Sequence, residues 1–409
     1  MTDRLYYRDS FLTEFDARVL SSTPSGASHV VRLDRTAFYP ESGGQPFDTG
    51  RLGSANVVEV SEDESGDILH ITDSPLPEGP VRGAIDWPRR FDHMQQHSGQ
   101  HLLSAIFLDL FGYQTVSFHL GREISAIDLA APGIPPEQLV RIEQRVNEII
   151  FEDRPLHIRL GTREELAAAG VRKEVQRDGI LRAIEIEGVE LQPCGGTHVS
   201  RTGQIGLMLL RKCEKQKGNW RVEFVCGGRA LAVAREDRRL LLESARTLGG
   251  APADLPMLVA RASEDRRQGD RQRKDLQSRL AAFEAREFWD QAPAAGDAPR
   301  IVRRILDPAD ADYLRLLASR IVECGPGVAL LAALPGGHVV FAQSPGLPGD
   351  ISALLCSALA AVAGKGGGTR DFAQGSCPEP AAPGRLEGIL ETAAQRLSFS
   401  PSLEKETHS

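Results

Sequence analysis

Two pairs of metal-binding side chains place the strongest constraint on how this chain can fold. His97 and His101 stand four residues apart in a helical pattern, and Cys194 and His198 stand four apart across Gly195-Gly196-Thr197. Residues four apart on a helix share a face, so both imidazoles can reach one ion. A thiolate and an imidazole joined by a glycine turn can close on a cation from a loop. Three imidazole nitrogens and one sulfur form a borderline-soft set that suits zinc. Each pair alone also has a plain reading: packed or solvated histidines for the first, a strand-end turn with an incidental cysteine for the second. Together they make metal binding the stronger expectation, and the helix near residue 100 must then meet the loop near residue 195. His97 lacks the adjacent glutamate of HExxH metalloproteases, which counts against that class.

The periodicity around these pairs changes along the chain. Residues 1–90 carry short β-type runs at 29–33, 56–60 and 68–71 between clusters of Ser, Gly, Asp and Pro, which predicts a small barrel or sandwich. Over 90–110 the spacing of Leu102, Leu103, Ile106 and Leu110 predicts a helix that stops at Gly112. A strand region at 115–130, a helix at 137–152 and strands at 180–191, 205–210 and 220–226 make the next part mixed. Residues 229–290 are rich in Arg, Ala, Leu and Glu, and Gly249, Gly250 and Pro252 break them into two helices. A linker over 291–299 precedes a last unit with strands at 328–333 and 338–342 and a glycine cluster at 364–368, expected as a loop. The expected fold class is α+β. It comprises an N-terminal β-barrel (1–90), a mixed α/β metal-bearing core (91–228), a helical arm and linker (229–299) and a C-terminal α/β domain (300–409).

Composition narrows the function classes. With 41% apolar and 25% charged residues the chain is not a disordered one. No apolar stretch is long enough to span a bilayer, and residues 1–12 have no signal-peptide core. Six cysteines without dense spacing point to a reducing cytoplasm. The net charge of −8 counts against a protein that coats DNA, yet residues 201–280 hold 18 Lys and Arg against 10 Asp and Glu. Phosphate contacts need only such a local basic face.

The motifs resemble those of one family. His97-Ser-Gly-Gln-His101 with Leu-Leu-Ser after it, and Cys194-Gly-Gly-Thr-His198-Val, look like the editing domain of alanyl-tRNA synthetases and of the free-standing AlaX proteins. Phe38-Tyr-Pro-Glu-Ser-Gly-Gly-Gln-Pro-Phe-Asp-Thr-Gly50 resembles that family's N-terminal glycine-rich signature, and Trp220 to Ala230 resembles the segment closing its editing core. Gly366-Gly-Gly-Thr-Arg-Asp-Phe-Ala-Gln-Gly375 resembles the glycine-rich motif of the C-terminal domain known as DHHA1. The resemblance implies zinc held by His97, His101, Cys194 and His198, with His93, four before His97, left outside the set. It implies a zinc-dependent deacylase that hydrolyses mischarged tRNA for alanine, seryl first and glycyl second. Because the glycine-rich motif begins at Phe38, no aminoacylation domain is expected ahead of it. The expected partner is tRNA, with a homodimer through the 229–290 helices and the C-terminal domain set against a solvated helical arm.

Three further residues are expected in the site. If 115–119 is a strand, Thr115, Ser117 and His119 point to one face. The resemblance places the amino-acid pocket there, with Ser117 and His119 as catalytic or pocket residues; a half-exposed polar strand face is the plain alternative. Gln45 either hydrogen-bonds near the ribose or carbonyl, or satisfies its own turn. Two other function classes stand beside the hydrolase: a non-catalytic RNA-binding protein with a structural zinc, and a phosphoesterase, which lacks support because no Asp-His-His motif is present.

Overall fold

The structure is a computed structural model, in which residues 1–171, 179–293, 296, 298–380, 382 and 384–397 are described. Linker positions 294, 295 and 297 and the stretch 398–409 of the last expected domain lie outside the described residues. Packing divides the chain into two units, Met1–Ser244 and Ala245–Ser409.

The first unit opens with a closed six-stranded barrel. Its strands are β1 (Glu14–Ser25), β2 (Ser28–Leu33), β3 (Gly50–Leu52), β4 (Ala55–Glu62), β5 (Ile68–Thr72) and β6 (Gly79–Ile85), in the order β1-β2-β5-β4-β3-β6. Alternation decides what points inward: Phe15, Ala17 and Val19 of β1 are buried between exposed neighbours, and they join Val31, Leu33, Leu52, Val60 and Ile68 in one core. Closure leaves no exposed sheet edge.

Helix α1 (Trp87–Phe111) follows directly. The Asp86 side chain caps its first turn by accepting from Arg89 N, Pro88 occupies the first turn, and Gly112 ends it in the left-handed region at φ 71°. Most of its residues are buried, because it packs against both α2 (Pro136–Phe151) and a four-stranded sheet. That sheet has the order β12-β13-β8-β7, with β7 Gln114–Leu120, β8 Ser125–Ala130, β12 Met208–Gln216 and β13 Asn219–Cys226. Gly99 makes the close approach of α1 to β13 feasible, since a Cβ there would lie 2.4 Å from Cys226 Sγ. Between α2 and β12 come β9 (Leu156–Gly161), the short α3 (Arg163–Ala168), β10 (Leu181–Ile186) and β11 (Glu190–Pro193), whose strands form the sheet β9-β10-β11.

A buried ion pair ties the glycine-rich loop 38–50 to α1. Arg90 and Asp48 are almost fully excluded from solvent; Arg90 Nε donates to both Asp48 carboxylate oxygens at 3.0 Å, and Nη1 donates to Ser10 O at 3.0 Å. Asp48 in turn accepts from Tyr39 N at 2.7 Å.

Three expectations need correction. The single strand expected over 180–191 is two antiparallel strands, because Gly188 sits at φ 67° and turns the chain between β10 and β11. The strand expected from 205 starts at Met208, after a 3-10 turn over Thr202–Ile205 and Gly206 at φ 70°. The glycine cluster expected as a loop is mostly an edge strand, described with the second unit.

Helix α4 (Gly227–Thr247) carries the chain across the division at its last turn, and α5 (Leu255–Gln291) follows in the second unit. Next come β14 (Arg300–Leu306), α6 (Ala311–Glu323), β15 (Gly327–Ala333), β16 (His338–Gln343), α7 (Ile351–Ala360), β17 (Lys365–Gly368), β18 (Phe372–Ser376) and α8 (Arg385–Arg396). The sheet order is β14-β15-β16-β18-β17, so the glycines of β17 form its edge, pairing with β18. Every residue of β15 is buried, as its continuous apolar run requires of a strand covered on both faces. Ala329, Leu331 and Ala333 pack with α6 and the end of α5; Val328, Leu330 and Ala332 pack with α7 and α8. The fold is α+β with a six-stranded barrel. Among the described residues no helix is long and apolar enough to cross a membrane.

Candidate metal centre

The four donors expected from the two motifs come together. His97 and His101 lie one turn apart on the buried face of α1, and Cys194 and His198 lie on the loop after β11. Their ligand atoms all fall within 4.8 Å of one another, so this set could hold one metal ion. Cys194 Sγ is 3.5 Å from His97 Nε2 and 3.1 Å from His198 Nε2. Donors bound tetrahedrally to zinc at ordinary bond lengths stand about 3.5 Å apart. Gly196 is needed here: a Cβ would meet His97 Cε1 at 2.2 Å and Gln45 Oε1 at 3.0 Å, so any side chain would push His97 out of place.

Each imidazole has a protein partner on its other nitrogen. His97 Nδ1 donates to Gln45 Oε1 at 2.7 Å, and His101 Nδ1 donates to Glu190 Oε2 at 3.2 Å. His198 Nδ1 lies 3.0 Å from Ser98 Oγ. These contacts fix ring orientation and leave the Nε2 atoms turned inward, the arrangement in which histidine binds metal. Gln45 is fully buried and committed at both ends of its amide. Its Nε2 donates to Thr197 Oγ1 at 2.8 Å, and its Oε1 also accepts from Thr197 N at 3.2 Å. It therefore braces both ligand-bearing segments instead of facing open space.

Arg182 holds the loop from behind. Its Nη1 donates to Cys194 O at 2.6 Å and to Gly196 O at 2.9 Å, and its Nε donates to Tyr7 O at 3.1 Å. The guanidinium also lies over the Tyr7 ring, 5.5 Å from its centroid.

The electrostatics fit a cation-binding set. Burial disfavours a charged Cys194, but the imidazoles of His97, His198 and His101 outweigh it and hold the thiol well below its ordinary value. Burial also opposes charge on His101, yet the Cys194 thiolate and Glu190 push it up to about 10. His198 goes the other way, pushed down to about 3 by burial despite the thiolate, with His97 adding to the fall. His93 stands apart, outside the cluster, and burial followed by nearby Arg89 pushes it down to about 4.

The cluster forms one wall of a cavity of about 790 Å³. Gln100, Ser104 and Thr115 also line it, and Phe118 stacks on His97 with ring centroids 5.5 Å apart.

Strand β7 corrects the expectation of a shared polar face. Leu129 pairs with Thr115 but Asp128 with Ser117, so Val116 is an extra residue, a β-bulge that reverses the alternation. Thr115 reaches Ser104 on α1. Ser117 also lines the cavity wall, but its hydroxyl donates to Asp128, whose carboxylate is 3.3 Å from His119 Nε2 and accepts from Arg221 Nε at 2.7 Å. His119 is exposed and does not line the cavity. Of the three additional site residues expected, only Gln45 contacts a member of the metal cluster among the hydrogen bonds described.

Sequence reading passed over Ser98, Thr197, Arg182 and Glu190. The first two sit inside the motifs themselves and were open to notice. Nothing local marks Arg182 or Glu190, whose places depend on the β10–β11 hairpin.

Comparison with known proteins supplies a context for this geometry. The family profile described as threonyl and alanyl tRNA synthetase second additional domain matches residues 181–223. The chain is 31% identical to the alanyl-tRNA editing protein AlaX-L of Pyrococcus horikoshii, over 97% of this chain and 98% of that protein. It is 31% identical to the alanyl-tRNA editing protein Aarsd1-B of Xenopus laevis, over 97% of this chain and 96% of that one. It is also 33% identical to an alanine–tRNA ligase of Archaeoglobus fulgidus, over 92% of this chain but 42% of the ligase.

Proposed function

Because the chain belongs to the alanyl-tRNA editing protein family, we propose that it acts in trans as a hydrolase that deacylates mischarged tRNA(Ala). The preferred substrate is the seryl ester, with the glycyl ester second, and aminoacylation is not part of the activity. The observation that carries this reading is the cluster itself: three imidazoles, each held by a partner on Nδ1, and one thiolate on the wall of an open cavity.

Zinc is the ion we propose for His97, His101, Cys194 and His198, because an N₃S set of this size suits it. Zinc held by these four residues would supply a Lewis acid for the ester carbonyl. The chain's own residues do the rest. Gln45 and Glu190 keep the Nδ1 protons of His97 and His101 in place, so the tautomers stay fixed. Phe118 covers the His97 ring and keeps water from that side. Gln45 is thus a positioning residue and not a substrate contact. Ser117 and His119 act through Asp128 and Arg221, steadying the strand that carries Phe118 and Thr115.

tRNA is the proposed partner, and the basic stretch 201–280 its electrostatic footprint. We assign the four segments 1–90, 91–228, 229–299 and 300–409 to barrel, editing core, helical arm and DHHA1-like domain, and the cytoplasm as the place of action. Exposed Leu276, Leu280 and Phe283 on α5 support a homodimer through the arm.

One observation favours a second reading, a non-catalytic tRNA-binding protein with a structural metal. Four protein ligands make a closed site, whereas catalytic zinc usually keeps a position open. A deacylation assay with seryl-, glycyl- and alanyl-tRNA(Ala), on protein whose metal content is measured, separates the two. The hydrolase cleaves the seryl ester fastest, and Cys194→Ala abolishes cleavage while tRNA binding persists. Fully metallated wild-type protein that cleaves none of the esters leaves only the structural reading.

A further inference from the structure

One connection in the first unit runs against the preference of its own residues. Strands β12 and β13 pair as far as Gln216 and Asn219, so only Lys217 and Gly218 join them. Both have positive φ, 48° and 90°, as a two-residue hairpin turn of type I′ requires. Asparagine followed by glycine suits that turn, because asparagine tolerates the left-handed region better than a lysine does. Lysine at 217 is therefore strained, and the fold draws nothing in return. Lys217 is exposed and makes no ion pair among the described residues, and a Cβ at Gly218 would meet no atom within 4 Å. Charge singles out the same turn. Residues 211–221 hold five Lys and Arg against one Glu, in a chain of net charge −8. Three of the five face carboxylates: Arg211 pairs with Asp237 at 2.6 Å, Lys212 with Glu214 at 2.8 Å and Arg221 with Asp128 at 2.7 Å. Lys215 and Lys217 are exposed and, among the described residues, unpaired.

We infer that Lys215 and Lys217, at the tip of the β12–β13 hairpin, grip the phosphate backbone of the RNA strand that ends in the ester, which deepens the tRNA reading and rests on it. The sheet sets the distance. Lys215, Trp220, Leu129 and Thr115 lie in one row across β12, β13, β8 and β7, and Thr115 lines the cavity. Three strand spacings of about 4.8 Å put Lys215 about 14 Å from that wall, with Lys217 beyond it at the tip. A stacked strand advances about 3.4 Å per nucleotide, so the lysines meet phosphates about four nucleotides before the esterified end. A lysine ammonium meets a phosphate as a point charge that demands no fixed geometry, and a turn standing clear of the fold can approach a curved backbone without collision. Such contacts set the register of the strand without reading its bases. They also let an acidic protein hold an anion, since only the local field at the tip has to be positive. Strain kept at a residue the fold does not use points to binding.

The test measures affinity of the whole chain for uncharged tRNA(Ala) over a range of salt concentrations. It compares the wild type, Lys217→Asn, Lys217→Arg, Lys215→Gln with Lys217→Asn, and Arg18→Gln, which removes one exposed charge from the barrel. Lys217→Asn weakens binding and makes the fall of log K with log salt shallower by about 0.7–1 in slope, the double variant by about twice as much. The same Lys217→Asn change raises the thermal midpoint of the first unit by about 2 °C, because the turn is relieved, so weaker binding does not come from a weaker fold. Lys217→Arg keeps the slope because it keeps the charge, and Arg18→Gln leaves it as in the wild type. A double variant with the wild-type slope, an Arg18→Gln loss equal to that of Lys217→Asn, or a Lys217→Asn chain less stable than wild type overturns the inference alone. A wild type that binds no tRNA overturns the tRNA reading, and this inference with it.

Discussion

The two units handle polarity in opposite ways. Buried polar and charged side chains crowd the first unit, among them Gln45, Asp48, His70, Arg90, His97, Ser98, His101, Arg182 and His198, whereas among the described residues of the second only Gln343 and Ser344 are of this kind. The second unit is a sheet packed on both faces by apolar side chains. Burying a polar group costs stability unless a partner meets it. The first unit therefore depends on hydrogen bonds that admit one geometry each, and the second on volume, which tolerates exchange. The difference is between a region built to hold atoms at set positions and one built to stay folded.

Breaking a polar tie in the first unit should cost more than opening a cavity in the second. Arg90→Met leaves Asp48 buried and unpaired, and should destabilise the first unit by about 3–5 kcal/mol. Hydrogen exchange resolved by residue would locate the loss; a change under about 1 kcal/mol would show that the tie is dispensable. Leu330→Ala, at a fully buried position of β15, should cost about 2–5 kcal/mol, confined to the second unit and without change in bound metal. Lost metal in that variant would end the separation between the units.

Smaller effects sharpen the contrast. Gln45→Leu should weaken metal binding about 10- to 100-fold, read by competition with a chelator, while thermal stability of the second unit stays put. Unaltered affinity would mean that His97 needs no brace. The smallest effect concerns pH. His93 titrates near 4 when folded, below the usual value of about 6.5, so the unfolded chain takes up the proton first. Its share of stability is complete above about pH 6.5 and is lost as pH falls toward 4, by at most about 1.4 kcal/mol per pH unit. His93→Leu should flatten that slope in the first unit; denaturation curves at pH 7 and 5 with the same difference as wild type would rule the account out.

What could be read in the sequence was what depends on neighbours along the chain. Four-residue spacing puts His97 with His101 and Cys194 with His198, and short runs between turn formers mark three of the six barrel strands, β2, β4 and β5. The partners of these residues were not readable, since Gln45 meets His97 across 52 positions and Glu190 meets His101 across 89. Strand alternation misled at Thr115 because a bulge is set by pairing with β8, not by the residues of β7. Glycines 366–368 read as a loop by composition, yet β18 supplies the hydrogen bonds that make them a strand. Hidden partners were thus the cost of long-range contacts throughout.

The order of the ligands along the chain has a consequence for synthesis. His101 precedes Cys194 by 93 residues. At ribosomal rates of about 5–20 residues per second, the helix bearing two of the four donors is made roughly 5–20 seconds before the other two. During that interval the growing chain offers only half a binding site, and the barrel loop carrying Gln45 has already been made. A metal ion held by all four side chains would be captured only after residue 198 has left the exit tunnel, before the strands β12 and β13 that pack against α1 have emerged.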